Sequence, residues 1–302
     1  MPGELHPKIS QMGPPQEVAD PEAPDSNSAI RAWTGIANIL TVDVEDWQQS
    51  TLDLMLPVSE RVVTNTLRLL AVLSDMNVKA TMFVQGMVAE KFPELVRKIV
   101  EGGHELASHG YSHTPLFKLT PHQFEEELDR SVALLEGFTD QPIRGFRAPD
   151  FSITEDTFWA RQILVDRGFT YSSSVFPFGG HRYGIAHANP APHVVEPGLL
   201  EIPLTVVRAL GRTWPVAGGG YLRLLPYRMT RWAIHRVNGQ GRAAVIYLHP
   251  YEFDLDEVPP FRPRMSLSFY LSQTVNRRHT ETKLRSLGHD FRLVPISETL
   301  RP

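Results

Sequence analysis

Cysteine is absent from the 302 residues of this sequence. Its absence excludes disulfide bonds, thiolate metal ligands and a cysteine nucleophile, so a metal ion would have to be held by histidine and carboxylate side chains. Long apolar runs are also missing, because none approaches the roughly 18–20 residues that a membrane-spanning helix needs. The opening stretch, MPGELHPKISQMGPPQ, lacks the basic segment followed by an apolar one that a secretion signal requires. We therefore expect a cytoplasmic protein without a membrane span.

The sequence has no excess of positive charge either. Lysine and arginine number 30 and aspartate and glutamate 34, for a formal net charge of −4, which argues against nucleic acid as a partner. Residues 1–32 are rich in Pro, Glu, Asp and Ser without periodic apolar positions, so we predict a disordered leader there. We expect 33–302 to form a single domain, on which a basic C-terminal extension, 260–302, is packed.

Short apolar runs alternate with segments of helical periodicity along the rest of the chain. Runs typical of strands cover 36–44, 78–84, 104–108, 143–149, 169–175, 200–207, 243–249 and 291–295. Helices are predicted between most of these runs; Thr120 and Gln123, for example, form a capping box that begins one of them. Repeated β-α units predict a parallel sheet covered by helices, either as a barrel or as an open doubly wound sheet.

Two further segments fit neither pattern. Residues 176–196 are rich in Pro, Gly and His and are predicted to form a long surface loop. The triplet Gly218–Gly220 precedes Tyr221 without a strand-to-helix lysine signature, and we predict a flexible loop there. No glycine-rich phosphate fingerprint follows any predicted strand, so a Rossmann cofactor domain is not expected.

Chemically active residue types cluster at the predicted C-terminal ends of strands, where parallel β/α folds assemble their active sites. Asp43, Glu45 and Asp46 end the first strand. Three acids within four residues repel one another, so a metal ion or an arginine is expected to compensate them. Taken alone, the segment fits a solvated turn with a helix cap equally well.

His109 and His113 follow the third predicted strand. Their i, i+4 spacing would place two imidazoles on one side of a helical turn, where both can reach one metal ion. Together with one acid, two histidines give a three-ligand set that leaves room for water. That layout is typical of a catalytic zinc rather than a structural one.

Two more strand ends carry single residues of interest. Arg147, in the stretch FRAPD that ends at Asp150, could lower the pKa of a neighbouring carboxyl group and fix its orientation. The alternative is a surface arginine before a rigid turn. His249 ends an apolar strand and suits a general acid at neutral pH, although a lone histidine in that position is usually structural.

Taken together and in this order, the clusters resemble the polysaccharide deacetylases of carbohydrate esterase family 4, which share the NodB homology domain. The resemblance runs from about Ile39 to His249. Several stretches look closer still to the deacetylases associated with exosortase (PEP-CTERM) exopolysaccharide loci: TVDVEDW, SHGYSH, FRAPDFSIT, HRYGIAHANP, AGGGYLRLLP and YLHPYEFD. The resemblance implies a distorted (β/α) barrel with parallel strands and outer helices.

The resemblance also implies roles for individual residues. Asp43 matches the catalytic base of the family, Arg147 the arginine that holds this base, and His249 the general acid. His109 and His113 match the two metal-binding imidazoles. The family's two adjacent acids are here replaced by Asp-Val-Glu-Asp, so either Glu45 or Asp46 is expected as the carboxylate ligand: strand alternation favours the first and residue type the second.

Other matches concern the substrate side of the site. The backbone N–H near Asp150 would help to bind the oxyanion. Aromatic side chains beside the motifs could support sugar stacking: Trp47, Tyr111, Phe151, Tyr183 and Tyr251. Where relatives often carry an aspartate that orients the acid histidine, this sequence has Ser172, and we consider Asp150 as a substitute.

The expected reaction is hydrolysis of N-acetyl groups on the amino sugars of a polysaccharide or its precursor, either free or lipid-linked. The cofactor implied is one divalent metal ion, with zinc as the first choice and cobalt, nickel or manganese as alternatives. Two other hypotheses are an allantoinase-like amide hydrolase that needs no metal and a glycan-binding protein without catalytic activity. Retention of the motif residues argues against both.

Overall fold

The computed structural model describes residues 35–179, 184–209, 211–216 and 218–300. The predicted leader, 1–32, and Tyr183 lie outside these ranges. Within them, no helix combines the length and the apolar character needed to cross a membrane.

Nine of the strands in the described ranges form one sheet, and two form a separate hairpin. The strands are β1 (Asn38–Val44), β2 (Thr81–Val84), β3 (Glu105–Ser108), β4 (Gly145–Phe146), β5 (Tyr171–Ser172), β6 (His193–Glu196), β7 (Leu199–Glu201), β8 (Val206–Ala209), β9 (Arg212–Pro215), β10 (Val245–Leu248) and β11 (Leu293–Val294). The large sheet has the order β10-β1-β2-β3-β4-β5-β7-β6, and β11 also pairs with β1. Its pairs are parallel except for β6 with β7, and the sheet is curled into a half-barrel. The predicted distorted barrel is thereby confirmed.

Helices follow most of the parallel strands. They are α1 (Arg61–Asp75), α2 (Gly86–Lys91), α3 (Pro93–Glu101), α4 (Pro121–Glu136), α5 (Trp159–Asp166), α6 (Gly219–Leu224), α7 (Tyr227–Asn238), α8 (Leu267–Thr274), α9 (Thr280–Asp290) and α10 (Ile296–Thr299). The predicted capping box begins α4: the Thr120 hydroxyl accepts a hydrogen bond from the Gln123 backbone N–H.

The two faces of the sheet pack against different partners. Leu40, Val42 and Val44 of β1 belong to the large core between the sheet and the helices. The alternate residues of the strands, such as Ile39 in β1 and Phe83 in β2, belong to a second core inside the curl. Because strand side chains alternate, the odd-numbered positions that end β1 point into the curl. This alternation places chemically active side chains on one inner rim.

The structure corrects the prediction for the glycine triplet. Instead of a flexible loop, Gly219 begins α6, and the Gly218 backbone forms a bridge with Tyr247 next to it. Gly218 has φ = 149°, and a Cβ there would lie 2.1 Å from Cδ1 of Tyr247. The glycine is needed because the backbone passes directly against a side chain of β10. The predicted loop over 176–196 is also shorter than expected, since β6 begins at His193.

Gly145 offers a test of packing inside the curl. A Cβ at Gly145 would lie 2.1 Å from Cζ of Tyr171, which is buried and donates a hydrogen bond to Glu105 over 2.7 Å. Gly145→Ala should therefore lower the free energy of unfolding by about 1–3 kcal/mol, the usual cost of overpacking. Denaturant unfolding measures the loss. Gly35→Ala is the control, because nothing lies within 4 Å of its Cβ position; equal stability of both variants would contradict the packing described.

Candidate active site

Three buried side chains converge at the C-terminal ends of β1 and β3. Nε2 of His113 lies 2.5 Å and Nε2 of His109 lies 3.1 Å from Oε2 of Glu45. One potential ligand atom from each residue lies within 4.8 Å of the others. Two imidazole nitrogens and a carboxylate oxygen form the donor set of a catalytic zinc site. The structure thus contains a candidate metal site made of Glu45, His109 and His113.

The hydrogen bonds and charges of this group fit a metal ion. Nδ1 of His109 lies 2.8 Å from the carbonyl oxygen of Arg147; a carbonyl only accepts, so Nδ1 carries a hydrogen and Nε2 is the ring nitrogen that faces Glu45. Burial raises the pKa of Glu45, but the charge of His113 and hydrogen bonds from both histidines outweigh it and hold this pKa well below its usual range. Burial lowers the pKa of His113, and Glu45 reverses the shift. Glu45 and His113 thus stabilise each other's charged forms.

The loop after β3 brings the histidines together without the predicted helical turn. Gly110 and His113 adopt left-handed backbone conformations, with φ of 70° and 65°. Oε2 of Glu127 anchors the loop, since it accepts hydrogen bonds from the backbone N–H groups of Tyr111 and Ser112 over 3.0 and 2.7 Å. The prediction of a helical turn is wrong, although the two imidazoles do meet, with ring centroids 5.1 Å apart.

Asp46 lies beside this group but points away from it. Its Oδ1 accepts a hydrogen bond from the Ser59 hydroxyl over 2.5 Å, and burial raises the pKa of its carboxyl group. Glu45 instead follows Asp43 at a spacing of two, which keeps both carboxylates on the inner side of the curl. Of the two candidate carboxylates, the geometry groups Glu45 with the histidines.

Arg147 holds Asp43 in a buried ion pair. Nη1 of Arg147 donates hydrogen bonds to Oδ1 of Asp43 over 2.7 Å and to Oγ1 of Thr41 over 2.8 Å. Its Nε donates to the backbone oxygen of Ser173 over 2.9 Å, and the guanidinium lies over the Phe83 ring at 4.2 Å. The arginine is fixed from several sides, and it fixes one oxygen of Asp43. Arg147 is therefore not a surface residue.

His249 lies across the cavity from Asp43. Its Nε2 is 3.8 Å from Oδ2 of Asp43 and 3.8 Å from Oε1 of Glu45. The Tyr251 ring stacks on the imidazole with centroids 4.6 Å apart. Burial lowers the pKa of His249, but the hydrogen bond to Glu252 and the charges of Glu45 and Asp43 outweigh burial and raise it above its usual value. The imidazole can therefore carry a proton at its cavity-facing nitrogen.

Sequence reasoning missed Glu252. Its Oε1 lies 2.8 Å from Nδ1 of His249, and its side chain is buried. The signal was present in the stretch HPYE: Pro250 begins a short 3₁₀ turn, Pro250–Phe253, whose three-residue spacing brings the glutamate back to the histidine. The carboxylate hydrogen-bonded to Nδ1 is thus Glu252, whereas Ser172 donates its hydroxyl hydrogen to Ser174.

These side chains surround a cavity of about 320 Å³. Its lining in the described ranges also includes Asp150, Phe151, Tyr221, Leu224, Tyr247, Tyr251, Ser272 and Gln273. Asp150 has φ = 53° and Phe151 φ = 49°, conformations that are uncommon outside glycine and cluster at functional sites. Two of the predicted rim aromatics, Phe151 and Tyr251, therefore do reach the cavity.

Two other predicted substrate contacts lie elsewhere. Trp47 is fully buried, and its Nε1 donates a hydrogen bond to Oε1 of Gln273 over 3.0 Å; it is a core residue rather than a sugar-stacking one. Tyr111 is outside the cavity lining, because its hydroxyl donates to Glu90 over 2.7 Å and the Arg130 guanidinium covers its ring at 3.8 Å.

Two family models divide the chain. Residues 49–172 match the polysaccharide deacetylase family, and residues 173–301 match a family described as a domain of unknown function, DUF3473. The boundary falls immediately after β5. Asp43 and Glu45 precede the first match, and His249 lies within the second.

Curated relatives cover part of the chain. It is 37% identical to the peptidoglycan deacetylase-like protein FGM2 of Gibberella zeae over 110 residues, which is 36% of this chain and 32% of that protein. It is 34% identical to a peptidoglycan deacetylase of Helicobacter pylori over 108 residues, 36% of each protein. The aligned segments thus span about a third of the length of these relatives.

Solved structures agree with the fold over most of the chain. A probable polysaccharide deacetylase from Pseudomonas aeruginosa gives a TM-score of 0.57 at 15% identity, covering 87% of this chain and 88% of that one. The allantoinase Puue gives 0.57 at 14% identity and covers 94% of both chains. At this identity the structures show the shared fold alone. The family model adds a match to polysaccharide deacetylases over residues 49–172, and the curated relatives add a partial likeness to peptidoglycan deacetylases.

Proposed function

We propose that this chain is a metal-dependent glycan N-deacetylase, which hydrolyses N-acetyl groups on the amino sugars of a polysaccharide or its oligosaccharide precursor. One observation carries the proposal: a carboxylate held by arginine, Asp43, and an imidazole, His249, face each other across 3.8 Å beside a His-His-Glu group. The deacetylase match and the names of the curated relatives support a glycan as the substrate.

The metal ion would be held by Glu45, His109 and His113. A divalent ion in this position supplies Lewis-acid polarisation of the acetyl carbonyl and of water. Zinc is the first choice for this donor set, and cobalt, nickel or manganese are alternatives that His and carboxylate ligands also accept.

In this mechanism Asp43 is the general base. Arg147 occupies its Oδ1, so Oδ2 faces the cavity and is free to take a proton from the attacking water. A tetrahedral oxyanion then forms at the former acetyl carbonyl. The backbone N–H near Asp150 helps to bind this oxyanion. His249 donates the proton at Nε2 to the leaving amine, which would otherwise be too basic to depart.

We also infer a narrower substrate class from the sequence stretches HRYGIAHANP and AGGGYLRLLP. They resemble deacetylases of exosortase-linked exopolysaccharide loci, so we propose an exopolysaccharide chain or its lipid-linked precursor as the natural substrate. Tyr221 and Leu224 of the stretch AGGGYLRLLP line the cavity. Side chains in this position would contact the substrate and select one sugar chain over another.

The central experiment measures acetate release from N-acetylated oligosaccharides of several lengths. We expect release by the metal-loaded protein, loss on treatment with a chelator, and recovery on addition of zinc. Activity that persists in metal-free protein would contradict the proposal and favour a metal-independent amide hydrolase. Glycan binding without acetate release from any substrate, in protein that holds its metal, would favour a binding protein.

Asp43→Asn tests the base. The variant should keep its fold and its metal, because the amide oxygen still accepts from Arg147, but kcat should fall by about 10²–10⁴-fold. Acetate release and elemental analysis measure the two properties. Asp140→Asn, on the exposed surface, is the matched control. Near-normal turnover by Asp43→Asn would exclude it as the base.

Glu45→Gln and Asp46→Asn together identify the carboxylate ligand. Loss of the charge at Glu45 should weaken metal binding by at least about 10-fold, since two imidazoles alone would remain. Asp46→Asn should keep full occupancy, because its carboxyl group contacts Ser59 rather than the histidines. Metal titration of both purified variants gives the answer, and the reverse order of affinities would assign the ligand to Asp46.

A further inference from the structure

The acid side of the cavity is built by the segment that matches a family of unknown function, 173–301. This segment supplies His249, the Tyr251 ring stacked on it, and the Glu252 carboxylate hydrogen-bonded to it. The base, its arginine and the candidate metal ligands all lie before residue 173. The two sides of the chemistry therefore come from different parts of the sequence.

Glu252 fixes which nitrogen of His249 faces the cavity. Its Oε1 accepts the hydrogen of Nδ1 over 2.8 Å, so the other nitrogen, Nε2, is turned towards Asp43 and Glu45 at 3.8 Å. The stacked Tyr251 ring, 13° from parallel, restricts rotation of the imidazole. A histidine held in this way needs no reorientation before it donates a proton.

Glu252 is itself held by Arg223 of α6. Nε of this buried arginine lies 3.2 Å from Oε2 of Glu252. Its Nη1 donates hydrogen bonds to three backbone oxygens at the end of α8, each over 3.2 Å: those of Ser272, Gln273 and Val275. The carboxylate thus has the histidine on one oxygen and the arginine on the other. Because the arginine is anchored by backbone groups, the whole unit is pre-organised.

Lys283 anchors the same unit from α9. Its Nζ donates hydrogen bonds over 2.8 Å to the backbone oxygens of Leu222, Arg223 and Leu225, which are carbonyl groups left free at the end of α6. The ends of α6 and α8 are therefore both hydrogen-bonded to cations of the second segment: the half-buried Lys283 and the buried Arg223. This arrangement sets the position of Arg223 relative to Glu252.

We propose that the segment of unassigned function supplies the acid half of the active site, with Glu252 as the residue that positions His249 and Arg223 as the residue that positions Glu252. The inference rests on the proposed N-deacetylase function and adds residues to it. In this proposal Glu252, which follows β10, takes the positioning role that relatives often give to an aspartate at the position of Ser172.

The step that depends on this arrangement of Glu252 and His249 is the protonation of the leaving amine. When the tetrahedral intermediate collapses, the C–N bond breaks, its electron pair goes to nitrogen, and nitrogen takes the proton from Nε2 of His249 while the oxyanion returns to a carbonyl. The hydrogen on Nδ1 of His249 stays on that nitrogen and remains hydrogen-bonded to Glu252 throughout. An aryl acetate makes no such demand, because a phenolate departs without a proton. Loss of the positioning residue should therefore affect amides far more than aryl esters.

Glu252→Gln is the test. With an N-acetylated chitooligosaccharide, kcat should fall by about 10²-fold, the lower end of a general-acid contribution, while KM stays within about twofold. Hydrolysis of 4-nitrophenyl acetate should stay within about threefold, because Asp43 and the metal group are untouched. A variant that keeps aryl esterase activity is folded and metal-loaded, so this substrate also reports structural integrity.

Glu257→Gln is the matched control. Glu257 is another buried glutamate of the same loop, and it lies 3.7 Å from Arg277. Burial raises its pKa to about 8, so it is largely uncharged at neutral pH and glutamine has nearly its shape. Both activities should stay within about twofold in this variant.

The outcomes separate this inference from the function on which it rests. Equal loss of amide and ester hydrolysis in Glu252→Gln would show a merely structural role, and unchanged amide hydrolysis would show no role; either overturns the inference. A wild-type chain that deacetylates no glycan overturns the proposed function instead. If Glu252→Gln melts too low to assay, Glu252→Asp keeps the charge but draws the carboxylate back from Nδ1. It should lose about 10-fold in kcat on the amide alone, and an unchanged kcat would again overturn the inference.

Discussion

The buried pair of Arg147 and Asp43 is the interaction on which the site depends. Two charges taken out of water are stable only if each finds partners in the interior. Arg147 meets this demand with Asp43, Thr41 and the Ser173 backbone, which ties the ends of β1, β4 and β5 together. Its own carbonyl oxygen accepts from Nδ1 of His109. One residue therefore orients both the proposed base and a proposed metal ligand.

The three acids at the end of β1, Asp43, Glu45 and Asp46, show how the repulsion within one short segment is relieved. Asp43 is compensated by Arg147 and Glu45 by His109 and His113, whereas Asp46 has a hydroxyl partner, and burial raises the pKa of its carboxyl group. Their different environments follow from alternation, because the odd positions face the curl and the even one faces away. The cluster of three acids is thereby divided into two charge-compensated carboxylates and one carboxyl group whose pKa is raised by burial.

Much of the site was predictable because parallel strands end at one rim. That rule, together with the family resemblance, led to Asp43, Arg147, His109, His113 and His249 from distant parts of the chain, and alternation favoured Glu45. The errors have physical reasons. An i, i+4 histidine pair suits a helical turn, but left-handed residues at Gly110 and His113 achieve the same convergence in a loop. The burial of Trp47 and the contact of Arg223 with Glu252 depend on long-range packing, which a local pattern does not contain.

Pairing of β1 with β10 joins the two halves of the chemistry. The register matches Val42 to Leu248, so the residues that follow, Asp43 in β1 and His249 just after β10, lie at the same level of the sheet. Parallel neighbours must come from separate β-α units, and here one strand precedes the deacetylase match while the other belongs to the DUF3473 match. The 3.8 Å between Oδ2 of Asp43 and Nε2 of His249 is thus a consequence of strand register. A proposed base and a proposed acid placed by backbone hydrogen bonds keep their separation better than a pair carried by two loops, which is a physical reason for the candidate site to lie at the strand ends of this half-barrel.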